Sequence, residues 1–364
     1  MERTLLGKPA RYPRGLQQVG EGAFAWLQPN GEWGESNAGV LAGDGEALLI
    51  DTLWDLRLTQ RMLDAVGERV PVPIRTLVNT HSDGDHVWGN QLLPDAQIVA
   101  TSAAARVIRE ESPGALQRFK QVAPVLRTIG RLPLPVIGGL SLPRLPRLPL
   151  RALGEYIGWM LGPYDFSGVR VTPPTREFGG ELTLDVGGRE VRLIEVGPAH
   201  TPGDLIVHVP DASLVFAADI LFVDVAPVMW AGPTPNWIAA LDRILALDPG
   251  VVVPGHGPVS DQSEVQAMRD YLAWVEAEAR PRLVEDRTVS EVARDLLRSD
   301  GYANAPWAGW DSPERILITI ATINRHLQGA GGPVSARERT ALFAQVATLA
   351  QELRGRPGGS YPSS

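Results

Sequence analysis

The run Thr80-His81-Ser82-Asp83-Gly84-Asp85-His86 constrains this chain more than any other stretch of its 364 residues. Four side chains able to bind a cation through nitrogen or oxygen fall within six positions. Gly84 is expected to let the backbone turn sharply enough for them to converge. The apolar segment Ile74 to Val78 just before it reads as a short strand, so the cluster is expected at the end of a rigid element, facing a cleft. Carboxylates and imidazoles at this density are costly to bury unless a cation balances them.

Three further candidates occur far along the chain. His200 lies in Gly197-Pro-Ala-His-Thr-Pro-Gly-Asp204, Asp219 ends the apolar run that begins at Leu214, and His256 sits between two glycines after Val251-Val-Val253. Four of the six histidines thus occupy expected strand edges. The other two, His208 in a strand and His326 in a helix, are read as non-ligands. The chain has no cysteine, which excludes disulfides, thiolate nucleophiles and Cys-bound metal, so a cation here must be held by nitrogen and oxygen. Thr80, Thr201, Asp51 and Asp204 are candidates to support the ligands from behind, with ordinary turn or cap roles as the alternative. Trp88 either lines the cleft or packs in the core.

This pattern resembles the metallo-β-lactamase superfamily, whose hallmark is His-x-His-x-Asp-His followed by a later histidine, an aspartate at a strand end and a last histidine in a Gly-His-Gly type turn. The resemblance covers roughly residues 18–270 and implies an αββα sandwich. It implies that one metal takes His81, residue 83 and His200, that a second takes Asp85, His86 and His256, and that Asp219 bridges both. Position 83 departs from the commonest form, being Asp rather than His. A carboxylate there hardens the ligand set, so iron or manganese must be weighed beside zinc. Flavodiiron proteins of the same superfamily carry Glu at the matching position. Asp is one methylene shorter, which leaves open whether it reaches.

Around the motifs the chain reads as α/β. Two apolar runs joined at Gly43-Asp44-Gly45 predict a hairpin over 37–51. Helices are expected at 55–69, 102–111, 236–247, 261–279, 288–298, 313–328 and 336–354, and strands at 95–100, 177–187, 191–196, 205–209, 214–217 and 251–253. Residues 112–175, with the proline-punctuated run Leu142 to Pro149, predict an insertion on the rim of the site. Tyr156, Trp159, Met160, Tyr164 and Phe166 would either wall a substrate pocket or bury the insertion. The expected division is a catalytic domain over 18–275, a helical extension over 276–330, and a C-terminal helix with a flexible tail over 331–364, with a hinge at Gly329 to Pro333.

With 34 basic against 42 acidic residues, net charge is −8, which argues against a nucleic-acid partner. No secretory h-region and no long apolar span is evident, so a cytoplasmic protein without a membrane partner is expected. Trp307, Trp310 and Leu317 offer apolar material for a homodimer contact.

The resemblance implies a binuclear metal-dependent hydrolase acting on a small-molecule carbonyl substrate, a lactone, thioester, ester or amide, with Asp85 orienting water and delivering a proton. Zinc is the expected ion. The rivals are an iron-dependent oxidoreductase, motivated by Asp83, and a non-catalytic metal-containing binding protein. Lys8 and Lys120 are the only lysines, and an arginine from the insertion, for example Arg144 or Arg147, could take their place in recognising a substrate carboxylate.

Overall fold

The computed structural model describes residues 2–129, 147–285, 287–331 and 334–354. Two sheets face each other. The first holds, side by side, β1 (Gly15–Gly20), β2 (Ala23–Leu27), β3 (Ala38–Ala42), β4 (Ala47–Ile50), β5 (Ile74–Val78), β6 (Gln97–Thr101) and β7 (Arg176–Phe178). Its first four strands are antiparallel neighbours, and β4 to β7 run parallel. The second sheet is β8 (Glu181–Val186), β9 (Arg189–Glu195), β10 (Leu205–Val209), β11 (Leu214–Phe222) and β12 (Val251–His256), with β11 and β12 its parallel pair.

Side-chain alternation explains how the sheets meet. In β9, buried Val191 and Leu193 alternate with exposed Glu190 and Arg192, so one face turns inward. Leu41, Leu48, Val78 and Val99 of the first sheet pack with Val191, Leu193, Val207 and Phe216 of the second. Each such fully buried aliphatic side chain stabilises the fold by roughly 1.5–3 kcal/mol. β10 and β11 are buried along their whole length, as strands covered on both faces must be.

Helices cover the outer faces. α1 (Leu56–Arg69), α2 (Gly84–Val87) and α3 (Ser102–Glu110) follow strands of the first sheet, with Asp55 capping α1 and Thr101 capping α3. α4 (Pro113–Ile129) and α5 (Arg147–Leu161) pack on each other, α6 (Thr234–Ala246) and α7 (Gln262–Val284) back β11, and α8 (Val289–Leu296), α9 (Asp300–Ala303), α10 (Ile316–Leu327) and α11 (Ala336–Arg354) complete the chain. The architecture is the expected αββα sandwich with an added helical region. No helix among the described residues is long and apolar enough to cross a membrane.

Several expectations need correction. The segment 177–187 is two strands rather than one: the chain breaks at Gly179-Gly180, where Gly180 has φ +72°, and β7 and β8 enter different sheets. Of the two roles open to the aromatics of the insertion, Tyr156, Tyr164 and Phe166 take burial, at 0–2 % exposure, whereas Met160 lines the cavity. Trp307, Trp310 and Leu317 are likewise buried inside the chain, the two tryptophans against Tyr271, so they present no contact surface. The C-terminal helix α11 packs on α5 and lines the cavity. Arg144, most of the Leu142 to Pro149 run, Pro333 and the tail from 357 lie outside the described residues.

Candidate metal centre

One end of the sandwich gathers all seven residues named from the sequence. The end of β5 leads through Asn79 and Thr80 to His81, Asp83 precedes α2, and Asp85 and His86 lie within it. The loop between β9 and β10 supplies His200. Asp219 is not the end of its strand, as expected, but lies inside β11, where the register against β12 slips and Ala218 takes φ +48°. His256 closes β12. Gly255 beside it is required for space: a Cβ there would stand 1.9 Å from Asp219 Oδ1. Gly84 serves differently from expectation. It has no left-handed backbone angle, and a Cβ on it would lie 2.5 Å from the Trp88 ring, so packing demands the glycine.

The donor atoms fall into two sets. His81, Asp83 and His200 place one atom each within 4.8 Å of one another, and so do Asp85, His86 and His256. Asp219 lies between: its Oδ2 is 3.8 Å from His81 Nε2, 3.3 Å from His200 Nε2 and 3.4 Å from His256 Nε2, while its Oδ1 is 3.1 Å from His86 Nε2. Asp83 reaches despite its short side chain, with Oδ2 3.1 Å from His200 Nε2. Asp85 Oδ2 stands 3.5 Å from His256 Nε2. Side chains of the other five members are at most 5 % exposed, but Asp83 and Asp85 are 22 % and 15 % exposed. The cluster therefore opens through these two.

Each imidazole is held from behind by a group that can only accept, or is already donating elsewhere. His86 Nδ1 donates to Asp51 at 3.0 Å, His200 Nδ1 to Val228 O at 2.5 Å, and His256 Nδ1 to Gly31 O at 3.0 Å. Thr80 Oγ1 donates to Asp51 Oδ2 and so accepts from His81 Nδ1 at 2.9 Å. Every Nε2 is thus the unprotonated nitrogen when the ring is neutral, and all four converge. Asp51 and Thr80 accordingly support the ligands. Asp204 organises the His200 loop, accepting from the backbone of Ala199 and Thr201 and from the Thr201 hydroxyl. His208 stays in its strand, and His326 donates to Ala231 O.

Charge within the chain is balanced only partly. Burial holds the His81 imidazole well below its usual pKa and raises the Asp85 carboxyl. Against the same burial, Asp219 raises His86, and Asp83 with Asp219 raises His200 to about 9. Burial also opposes ionisation of Asp219, yet His256, His86 and His81 hold it well below the carboxylate range. Even so, His81 Nε2, His86 Nε2 and Asp219 Oδ1 are buried without a hydrogen-bond partner among the described residues. Inward-facing orphan donors in two three-residue sets fit a pair of divalent cations.

A cavity of about 1220 Å³ leads to Asp83 and Asp85. Trp33, Trp54, Trp88, Phe119 and Phe343 contribute to its walls, together with Arg106, Arg315 and Arg339. Neither lysine lines it. Nothing in the sequence singled out these arginines, which sit in ordinary helical surroundings without a motif.

The Metallo-beta-lactamase superfamily model matches residues 31–256. The 2,4-dinitroanisole O-demethylase subunit alpha of Nocardioides sp. (strain JS1661) is 25 % identical over 249 residues, 65 % of this chain and 56 % of that protein. The linear primary-alkylsulfatase of Pseudomonas sp. (strain ATCC 19151) is 24 % identical over 251 residues, 63 % of this chain and 43 % of that protein. The chain thus spans about half the length of these relatives. Among solved structures, the sec-alkylsulfatase Pisa1 from Pseudomonas sp. superposes with a TM-score of 0.62 at 15 % identity, covering 94 % of this chain and 56 % of that one. A metallo-beta-lactamase from Pontibacter korlensis gives 0.51 at 17 %, covering 72 % and 99 %. At these identities the structural likenesses establish the fold alone.

Proposed function

From the premise that this chain belongs to the metallo-beta-lactamase superfamily and is a metal-dependent hydrolase of that fold, we propose that it cleaves a carbonyl ester, thioester or lactone of an apolar or aromatic compound. In this proposal His81, Asp83 and His200 hold one cation, Asp85, His86 and His256 the other, and Asp219 serves both. Zinc is the proposed ion. Two divalent cations so held would make water acidic and polarise the electrophile.

The chain's own residues do the rest. Asp51, Thr80 and the carbonyls of Val228 and Gly31 keep the four imidazoles in one tautomer and orientation, so no reorganisation is needed during the reaction. Asp85, on the open side of the cluster, orients the attacking water and passes a proton to the leaving group. The aromatic walls exclude bulk water and bind the apolar part of the substrate. The observation that carries this proposal is the meeting of a large aromatic cavity with Asp83 and Asp85, the two most exposed members of the cluster.

A second reading, hydrolysis of a sulfate ester, is supported by the arginines in the cavity wall and by the named activity of the alkylsulfatase relative. Metal-replete protein should be assayed against aryl and alkyl carboxylic esters, thioesters and lactones, with alkyl sulfates of matched chain length. Turnover of the carbonyl compounds with about two zinc ions per chain is the expected result. Turnover of alkyl sulfates alone would replace the first reading with the second. Iron with a visible absorption band and no hydrolysis would put an oxidoreductase in place of both.

A further inference from the structure

The cavity wall contributed by the C-terminal helices carries a feature the hydrolytic chemistry does not use. Arg315 lies just before α10, is 1 % exposed, and stacks on the Trp33 ring with its guanidinium carbon 4.1 Å from the centroid. Its Nη1 donates to Ala226 O at 3.3 Å, while Nε and Nη2 are buried and find no partner among the described residues. Arg339, on α11, lies over the Trp230 ring at 4.9 Å and is within electrostatic reach of Asp83 and Glu111. Phe343, one turn further along α11, touches both tryptophans, with ring centroids 5.6 Å from Trp33 and 6.0 Å from Trp230. All five residues line the cavity.

Two guanidinium groups thus flank a three-ring apolar surface. A buried arginine with two unused donors is expensive to keep unless something accepts from it. Stacking on an aromatic face fixes the planar fork without consuming its in-plane N–H groups, which keep their capacity to donate. Burial pushes the nearby Glu111 carboxyl up to about 7, with Arg339 acting against that rise, so Glu111 is a weak competitor for the site below neutrality.

We propose that Arg315 and Arg339, with Trp33, Trp230 and Phe343, form a subsite for a substrate that joins an apolar body to a negatively charged oxyanion group, a carboxylate, sulfonate or sulfate. The assignment rests on the hydrolase reading of the cavity and narrows its substrate class to anionic amphiphiles. Arg339 and Arg315 are specificity residues here, distinct from the groups that act on water.

Binding, rather than turnover, tests it. Metal-replete protein is titrated with 1-octanesulfonate, which it cannot hydrolyse, with octan-1-ol and with inorganic sulfate, following tryptophan fluorescence and calorimetric heat. Octanesulfonate is expected to bind at least about tenfold more tightly than octan-1-ol or sulfate, because one charge-assisted hydrogen bond is worth that ratio or more. Arg339→Met should weaken octanesulfonate by about tenfold or more and leave octan-1-ol affinity unchanged. Arg315 is buried, so Arg315→Lys is the paired variant: it keeps the charge, loses the fork and should weaken octanesulfonate by a smaller factor. Equal octanesulfonate affinity in wild type and both variants would put the anion on the cation cluster and overturn the proposal, as would octan-1-ol binding as tightly as the sulfonate. Because no step of the assay is hydrolytic, a protein that binds the sulfonate through these arginines yet cleaves no carbonyl ester would sink the proposed reaction and not this subsite.

Discussion

Two buried charged constellations lie within this molecule, and they are built on opposite plans. In the first, Lys8 reaches Glu32 at 2.8 Å and Asp311 at 3.0 Å, Arg11 adds a second contact to Asp311, and the Ser312 hydroxyl donates to Glu32. Cations and anions of the chain face each other there. In the second, four imidazoles and three carboxylates surround a common centre, every outward nitrogen is satisfied, and inward atoms of His81, His86 and Asp219 are left without partners. The first pairs the chain's own charges and leaves Glu32 Oε2 as its lone orphan among the atoms named, whereas the second is finished on the outside and open within, its orphan atoms converging on one centre.

The contrast can be broken by experiment. Asp219→Ala removes the one carboxylate shared by both ligand sets. It should lower hydrolytic turnover by on the order of 10³-fold or more and release metal, as measured by elemental analysis and steady-state rates. Retained metal with full activity would mean that the open constellation does not depend on its centre. Lys8→Met should do the reverse, destabilising the fold by about 3–5 kcal/mol in urea unfolding, since it strands Glu32 as a buried anion and leaves Asp311 only its contact to Arg11, while the folded fraction keeps its metal. Loss of metal in that variant would show that the two constellations are not separable.

Milder changes sharpen the comparison. Asp51→Asn leaves the shape of the His86 and Thr80 partner intact but removes its charge, and should weaken metal affinity by about 10–100-fold in a chelator competition. An unchanged affinity would demote Asp51 to a turn residue. Glu35 is the smallest case, a carboxylate at the edge of the closed network. Its Oε1 accepts from Leu5 N and its Oε2 is buried without a partner among the described residues. Burial raises this carboxyl from 4.5 to about 8. The folded chain therefore keeps a proton that the unfolded chain releases, and stability, full below about pH 4.5, declines as pH rises toward 8. Glu35→Gln should flatten that decline by on the order of 1 kcal/mol or more, read from urea midpoints at acidic, neutral and alkaline pH. A slope identical to wild type would exclude Glu35 as its source.

The two constellations also differ in how far they could be read from sequence. His81, Asp83, Asp85 and His86 are close together in the chain, and His200, Asp219 and His256 lie near apolar runs, so residue type marked them as candidates and the resemblance to the metallo-β-lactamase motif assembled all seven into one set. Strand and helix positions near them followed for the same reason, as in β5 and α1. The Lys8 network was invisible because Asp311 lies 303 residues from Lys8 and Ser312 280 from Glu32, and no member has a local signature. The Arg315 and Arg339 wall was missed on the same ground: each arginine looks like a solvated helix residue until the fold sets it against Trp33 or Trp230. For the apolar residues of 156–166 pocket wall and burial stayed equally open, because sequence marks a residue as apolar without saying which side it faces.

The space that Gly255 leaves for Asp219 has a consequence for how such chains are recognised. A single methyl group on the neighbouring strand would displace the shared carboxylate although every donor remained spelled out in the sequence. A protein altered in that one atom would pass any search by ligand pattern and still have the wrong spacing at its heart. Gly255→Ala is therefore a way to detune placement while holding composition constant, and it makes inheritance of the seven donors an insufficient guide to inheritance of the chemistry.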